Sequence, residues 1–262
     1  MVFYDHALIG NFNLNWKKHK RYKVAGDFVS PVLPDKNPCS PETLPPNVNE
    51  EGEIFRRISR LGNEFSRSKL ADFVRRFGLL KDNSSLSKER VSFIESEAKE
   101  FFNLASLYHQ VHEKNHHELQ RRITYKPLPA WVYGDGKQYE KAYIDGQPGW
   151  DTPIMPKTKE RLEIDAFLFL ASVIEKQIQN VTLTFIKTKY EIKKVKGKIE
   201  EGYKVVPAFN VNSPLEFAYL EFFLAISRNA EVVECKGCGC YFPKDSRRAE
   251  AKYCCNSCRS NA

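Results

Sequence analysis

The chain has 262 residues, and 42% of them are hydrophobic, so it can bury a sizeable core, either as one large domain or as one domain with a small module. No apolar run approaches the roughly 18 residues of a membrane-spanning helix, and no membrane association is expected. The net charge of +8, from 41 basic and 33 acidic residues, favours a polyanionic partner but specifies none.

Residues 1–50 read as an irregular N-terminal arm. Within it, Trp16-Lys17-Lys18-His19-Lys20-Arg21-Tyr22-Lys23 is a basic run bracketed by aromatic rings. Such a run can follow phosphates with its rings stacked on bases, or it can be a strand whose aromatics turn inward. The proline-rich stretch from Val32 to Pro46 opposes helix and sheet interiors and is expected to wrap over the surface.

Residues 51–230 read as a helical α+β domain. Ile54, Phe55, Ile58 and Leu61 predict a helix over Glu51–Leu61. A second helix, capped by Ser68 and stopped at Gly78, carries Leu70, Phe73, Val74 and Phe77 on one stripe. Arg56, Arg57, Arg60, Arg67, Lys69, Arg75 and Arg76 make this pair basic; the reading is a solvated face, with a helix-turn-helix as the alternative.

Ser87 to about Ile123 reads as one long helix. It contains His112-Glu113-Lys114-Asn115-His116, which satisfies the H-E-x-x-H pattern of zinc proteases. On a helix the two histidines would share a face and Glu113 could activate a metal-bound water, with Glu140 or Glu160 as third ligand. Catalytic versions lie on an apolar, buried helix. This one is ringed by Gln110, His117, Glu118 and Gln120, so it reads as a chance match and the chain as a non-enzyme.

From Thr124 to Lys159, short strands are expected around turns at Gly134-Asp135-Gly136 and Asp145-Gly146. Trp131, Tyr133, Tyr139, Tyr143 and Trp150 are expected to cover the core, or else to offer a stacking surface. A helix over Glu160–Gln179 has a broad apolar face of Leu162, Ala166, Phe167, Leu170, Val173, Ile174 and Ile178, widened by Leu168 and Phe169. Val181 to Val211 reads as a hairpin turning near Gly197–Gly202, its tip rich in lysine. That tip either protects an edge or contacts phosphates. Ser213-Pro214-Leu215-Glu216 is a capping box opening a helix that is apolar nearly all round. Val232 and Val233 then lead into residues 231–262 with little slack, so this last module is expected to be docked.

Six of the seven cysteines fall in that module; the other is Cys39. Two close cysteine groups around a hairpin-length spacer have the spacing of a structural zinc site. Cys235, Cys238, Cys254 and Cys258 are the four candidate ligands, the last two sharing a face if a helix starts at Tyr253-Cys254. Cys255 with Cys258 is the alternative pair, and Cys240 is the spare. No signal peptide is read, so a reducing cytoplasm is the expected compartment and disulfides are not.

The run C-x-x-C-G-x-x-F, then Ser-Arg-Arg, then Tyr-Cys-x-x-x-Cys-Arg resembles the CGNR-type zinc fingers at the C-termini of bacterial transcription regulators. It is also similar to the broader treble-clef group. Phe242 matches the apolar residue after the knuckle, and Arg247 and Arg248 the basic spacer. Cys258 is followed by Arg-Ser-Asn rather than Gly-Asn-Arg. The resemblance covers about thirty residues. It implies one structural zinc, a treble-clef-like finger and a DNA-binding role in transcription regulation.

The expected fold class is therefore α+β: a mostly helical domain with a small antiparallel hairpin or sheet and a C-terminal treble-clef-like zinc finger. The first functional reading is nucleic-acid binding, with phosphate contacts from Lys236, Lys244, Arg247, Arg248, Lys252 and Arg259. The second is a protein-interaction or self-association module with a purely structural finger. The third is a metalloprotease using His112, Glu113 and His116.

Overall fold

Short polar side chains start four of the helices by accepting hydrogen bonds from otherwise unpaired backbone amides. Ser66 accepts from Lys69 N (3.2 Å) at the head of the helix Arg67–Phe77, Asn115 from Glu118 N (3.3 Å) before His116–Arg122, Thr158 from Arg161 N (3.2 Å) before Lys159–Ile178, and Ser213 from Glu216 N (3.1 Å) before Pro214–Ser227. The computed structural model describes residues 12–14, 16, 21–32, 53–81, 88–129, 137–195, 198–244 and 251–261, with backbone alone at 12–14, 185–195 and 198–207. Its helices are α1 (Glu53–Asn63), α2 (Arg67–Phe77), α3 (Val91–His112), α4 (His116–Arg122), α5 (Lys159–Ile178), α6 (Pro214–Ser227) and α7 (Asn256–Ser260). None is long and apolar enough to cross a membrane.

The class is α+β. Strands β2 (Tyr22–Ala25), β3 (Phe28–Pro31) and β4 (Glu89–Arg90) form one antiparallel sheet. Strands β5 (Ile123–Pro127), β6 (Tyr139–Ile144) and β7 (Gln147–Pro153) form another, and β6 turns into β7 through Asp145 and Gly146, both at positive φ. The third joins β8 (Thr182–Val195) to β9 (Lys198–Val211) along fourteen-residue strands, with β1 (Phe12–Leu14) running parallel to the last residues of β9. Finally β10 (Val232–Glu234) pairs with β11 (Tyr241–Pro243).

The core lies where α1 crosses α3 and α6. Phe55 meets Phe101 and Phe222 edge to face at 4.9 and 5.2 Å, and Tyr219 joins from α6 at 5.2 Å from Phe101. Gly62 sets the approach of α1 to α3: a Cβ there would lie 2.0 Å from the Ala98 carbonyl oxygen. Glu221, buried on α6, accepts a hydrogen bond from Phe55 N (2.6 Å) and so satisfies the N-terminus of α1 from a distant part of the chain.

Several expectations are corrected. The residue capping α2 is Ser66, whose extended backbone precedes the helix, while Ser68 lies within its first turn. The long helix of residues 87–123 begins instead at Val91 and breaks after His112, because Lys114 takes a left-handed conformation (φ 52°) and Asn115 caps a new helix. Strand β9 resumes at Lys198, so Gly202 pairs with Tyr190 rather than forming the turn. Phe167 and Leu168 are 43% and 49% exposed, leaving the α5 core face to Leu162, Ala166, Phe169, Leu170 and Ile174.

The expected solvated arginine face is partly neutralised. Arg56, Arg57 (3.0 Å) and Arg76 (3.2 Å) all pair with Glu53, which is 1% exposed. In the segment read as irregular, β1, β2 and β3 are regular strands, and Trp16 takes the inward option, its Nε1 donating to Phe77 O (2.9 Å). The capping box at α6 is shifted by one residue: Glu216 accepts from Asn212 N (2.8 Å) rather than from Ser213 N. Lys17–Lys20, Cys39, Trp131, Tyr133 and the turn at residues 134–136 lie outside the described residues.

Candidate metal centre

The hairpin of β10 and β11 is closed by a knuckle whose backbone is held at both sides. Cys235 N donates to Cys240 O, and Gly239 N to Cys235 O, each at 2.8 Å. Gly239 stands at φ +65°, and Gly237 packs so closely on the second cysteine group that a Cβ would lie 2.8 Å from Cys258 O. The returning chain is fastened by Lys236 N to Lys252 O (3.0 Å) and by Cys254 N to Cys235 Sγ (3.3 Å). Helix α7 then carries Cys258. Cys254 precedes that helix by two residues, so the two cysteines do not share a helical face, contrary to the helical start expected at Tyr253-Cys254.

The sulfurs of Cys235, Cys238, Cys254 and Cys258 all lie within 4.8 Å of one another, with Cys238–Cys254 and Cys254–Cys258 both at 3.6 Å. Four sulfurs about 2.3 Å from a tetrahedral ion would be separated by about 3.8 Å, so this donor set fits a thiolate-bound metal. Cys240 and Cys255 stand beside it. Cys240 Sγ is fully buried, 3.4 Å from Cys238 Sγ, and Cys255 Sγ is 3.9 Å from Cys254 Sγ.

The sulfurs compete for protons. Hydrogen bonding with the Cys240 and Cys254 sulfurs holds Cys238 far below the ordinary thiol range. The same contacts push Cys254 and Cys240 up, while burial and a hydrogen bond to Cys255 push Cys258 up to about 12. The Cys238 proton therefore leaves readily, while Cys254 and Cys258 hold theirs unless a cation replaces them.

Neither a family model, nor a curated protein, nor a solved structure matches this chain.

The residues missed from sequence are on α1. Arg56 donates to Cys254 O (2.5 Å), Asn63 to Cys238 O (2.9 Å), and Ser59 Oγ accepts from Tyr241 N (2.8 Å). Burial works against the charge of Arg60, but the sulfurs of Cys238, Cys258, Cys254 and Cys255 outweigh it and hold its pKa above the ordinary arginine value. Positions 56, 59, 60 and 63 form one polar helical stripe, which was the available signal. From α3, His109 Nδ1 meets Val232 O (2.8 Å), Tyr108 donates to Ala230 O (3.1 Å), and Phe102 packs on Tyr241 at 5.1 Å.

Among the candidate phosphate contacts, Lys236, Lys252 and Arg259 are exposed, and none pairs with a described carboxylate. The backbone bond between residues 236 and 252 brings those two lysines together. Lys244 instead pairs with Glu231 at 2.8 Å. Arg247 and Arg248 lie outside the described residues.

The H-E-x-x-H residues are divided between helices. His112 ends α3, Glu113 follows it, and His116 opens α4, where it pairs with Glu163. Glu140, one candidate third ligand, is buried against Arg161 at 2.8 Å. Among the described residues, the cysteine group is the one cluster of metal-ligating side chains.

Proposed function

We propose that Cys235, Cys238, Cys254 and Cys258 hold one structural zinc ion, and that the finger binds nucleic acid through phosphate contacts. Four thiolates leave no coordination position for water, so the ion's part is to shape the finger. The observation that carries the nucleic-acid reading is the trio of Lys236, Lys252 and Arg259, exposed and without a described carboxylate partner, on the rim of the cysteine cluster. Arg247 and Arg248 belong to the same proposed surface. With the CGNR-type resemblance, the concrete form of this proposal is a DNA-binding bacterial transcription regulator working in the cytoplasm.

Binding of labelled duplex and single-stranded DNA and RNA across a salt series tests it. Each phosphate contact contributes about one unit to the slope of log K against log salt, so Lys236→Ala/Lys252→Ala/Arg259→Ala is expected to reduce that slope by roughly three. The variant should keep its metal. Cys254→Ser should lose both metal and binding. If the parent protein shows no salt-dependent binding at low ionic strength, the reading is wrong.

A specific observation also favours the interaction reading. Ile164, Phe167 and Leu168 make an exposed apolar face on α5, at 58%, 43% and 49% exposure. Loss of self-association or protein binding in Phe167→Asp, with nucleic-acid binding unchanged, would support that role.

A further inference from the structure

We propose that Cys238 and Cys240 form a reversible oxidative modification site, at which a hydroperoxide converts a metal-ligating sulfur into a disulfide. The proposal rests on the zinc reading above.

Among the four candidate ligands, Cys235, Cys254 and Cys258 are buried and Cys238 is partly exposed. An oxidant from solvent therefore meets Cys238 first. The neighbouring sulfur is in place to respond: Cys240 is fully buried, belongs to no ligand set, and its Sγ lies 3.4 Å from that of Cys238. A disulfide needs about 2.05 Å, a closure of little more than an ångström. The intervening Gly239, at φ +65°, bends the chain between the two sulfurs. Cys255 is a less suitable partner. Its Sγ lies 3.9 Å from Cys254, which is buried.

The chemistry balances with hydrogen peroxide as oxidant. The Cys238 thiolate attacks one peroxide oxygen, an S–O bond forms, the O–O bond breaks, and hydroxide leaves to take a proton from solvent. The Cys240 thiol then attacks the sulfenic sulfur. An S–S bond forms, the S–O bond breaks, and the departing hydroxide leaves as water with the Cys240 proton. Two thiols are oxidised, one peroxide is reduced, and two waters result. The ligand set falls from four thiolates to three, which weakens the hold on the metal. A dithiol reductant reverses the exchange.

Zinc-loaded full-length protein, treated with hydrogen peroxide, is the material for the test. Metal content measured beforehand tests the zinc reading on its own; the mapped disulfide tests this one. Peptide mass spectrometry of the oxidised parent should find loss of two hydrogens within the Cys238–Cys240 segment, with metal released to a chromogenic chelator. Dithiothreitol and added zinc should then restore the metal. Without a resolving thiol, Cys238 proceeds to the sulfinic acid, so Cys240→Ser should recover roughly fivefold less metal than the parent. Cys255→Ser should recover as the parent does. A disulfide mapped to Cys254–Cys255, or recovery by Cys240→Ser equal to the parent's, overturns the proposal.

Discussion

At Gly62 a single hydrogen atom decides how closely two helices approach. An added methyl would fall 2.0 Å from the Ala98 carbonyl oxygen and 2.8 Å from Phe102 Cβ, so α1 would have to move away from α3. Gly62→Ala is expected to cost about 3 kcal/mol, toward the upper end of overpacking effects, even though alanine is the better helix former. A lower denaturant midpoint with an unchanged m-value would show it. Glu97 supplies a residue-scale prediction of another kind. Burial, and then the neighbouring Glu100, hold its carboxyl above the ordinary glutamate value. The native state therefore keeps this proton at pH values where the unfolded chain has lost it, and stability falls as pH rises through that window. Glu97→Gln should accordingly stabilise the protein near neutral pH. The gain should vanish below the ordinary glutamate pKa of about 4.3, as paired unfolding curves at the two pH values would show.

At the scale of elements, α1 links the core to the finger. Its first turn is satisfied by Glu221 from α6, and one stripe along it reaches the backbone of both cysteine groups. Removing the Asn63 hydrogen bond, in Asn63→Ala, should cost about 1 kcal/mol and speed metal loss to a chelator roughly fivefold, while Arg56→Ala also takes a partner from the buried Glu53 and should cost more. Features set by neighbours in sequence were legible without coordinates. The Ser213 cap follows from its own four residues, and the cysteine spacing marks the two groups that supply the clustered sulfurs without deciding between Cys254 and Cys255. Features set across the chain were not. Nothing about a lysine signals the left-handed turn at Lys114 that splits the long helix, since glycine or asparagine is the usual occupant there. Arg56, Arg57 and Arg76 resemble a wet surface until Glu53 is seen buried among them, and Phe167 fits a helical stripe that the neighbouring elements leave uncovered.

For the whole molecule, the finger and the helical core share material. Val232 and Tyr241, on the two strands of the finger hairpin, belong to the same buried cluster as Phe55 and Phe222. A small cysteine-rich module cannot bury enough surface alone, and here it packs on α1 and α3 besides gathering four sulfurs that could hold a metal. Metal removal should therefore register beyond residues 231–262. With a strong chelator under reducing conditions, the thermal midpoint is expected to fall by roughly 5 °C or more, corresponding to a loss of about 2 kcal/mol. Amide exchange should quicken in α1 as well as in β10 and β11. A midpoint that does not move would mean that the core folds independently of the finger.

The ribbon of β8 and β9 has a consequence for how the polypeptide could be divided. Val195 already faces Lys198, so only two residues join the outgoing strand to the returning one, while α5 before the ribbon and α6 after it pack directly on each other. Cutting between residues 196 and 197 would therefore leave two fragments with complementary surfaces, one of them carrying all six clustered cysteines. Expressed together, the fragments should reassemble, which would make the ribbon tip a natural seam for a split-protein reporter.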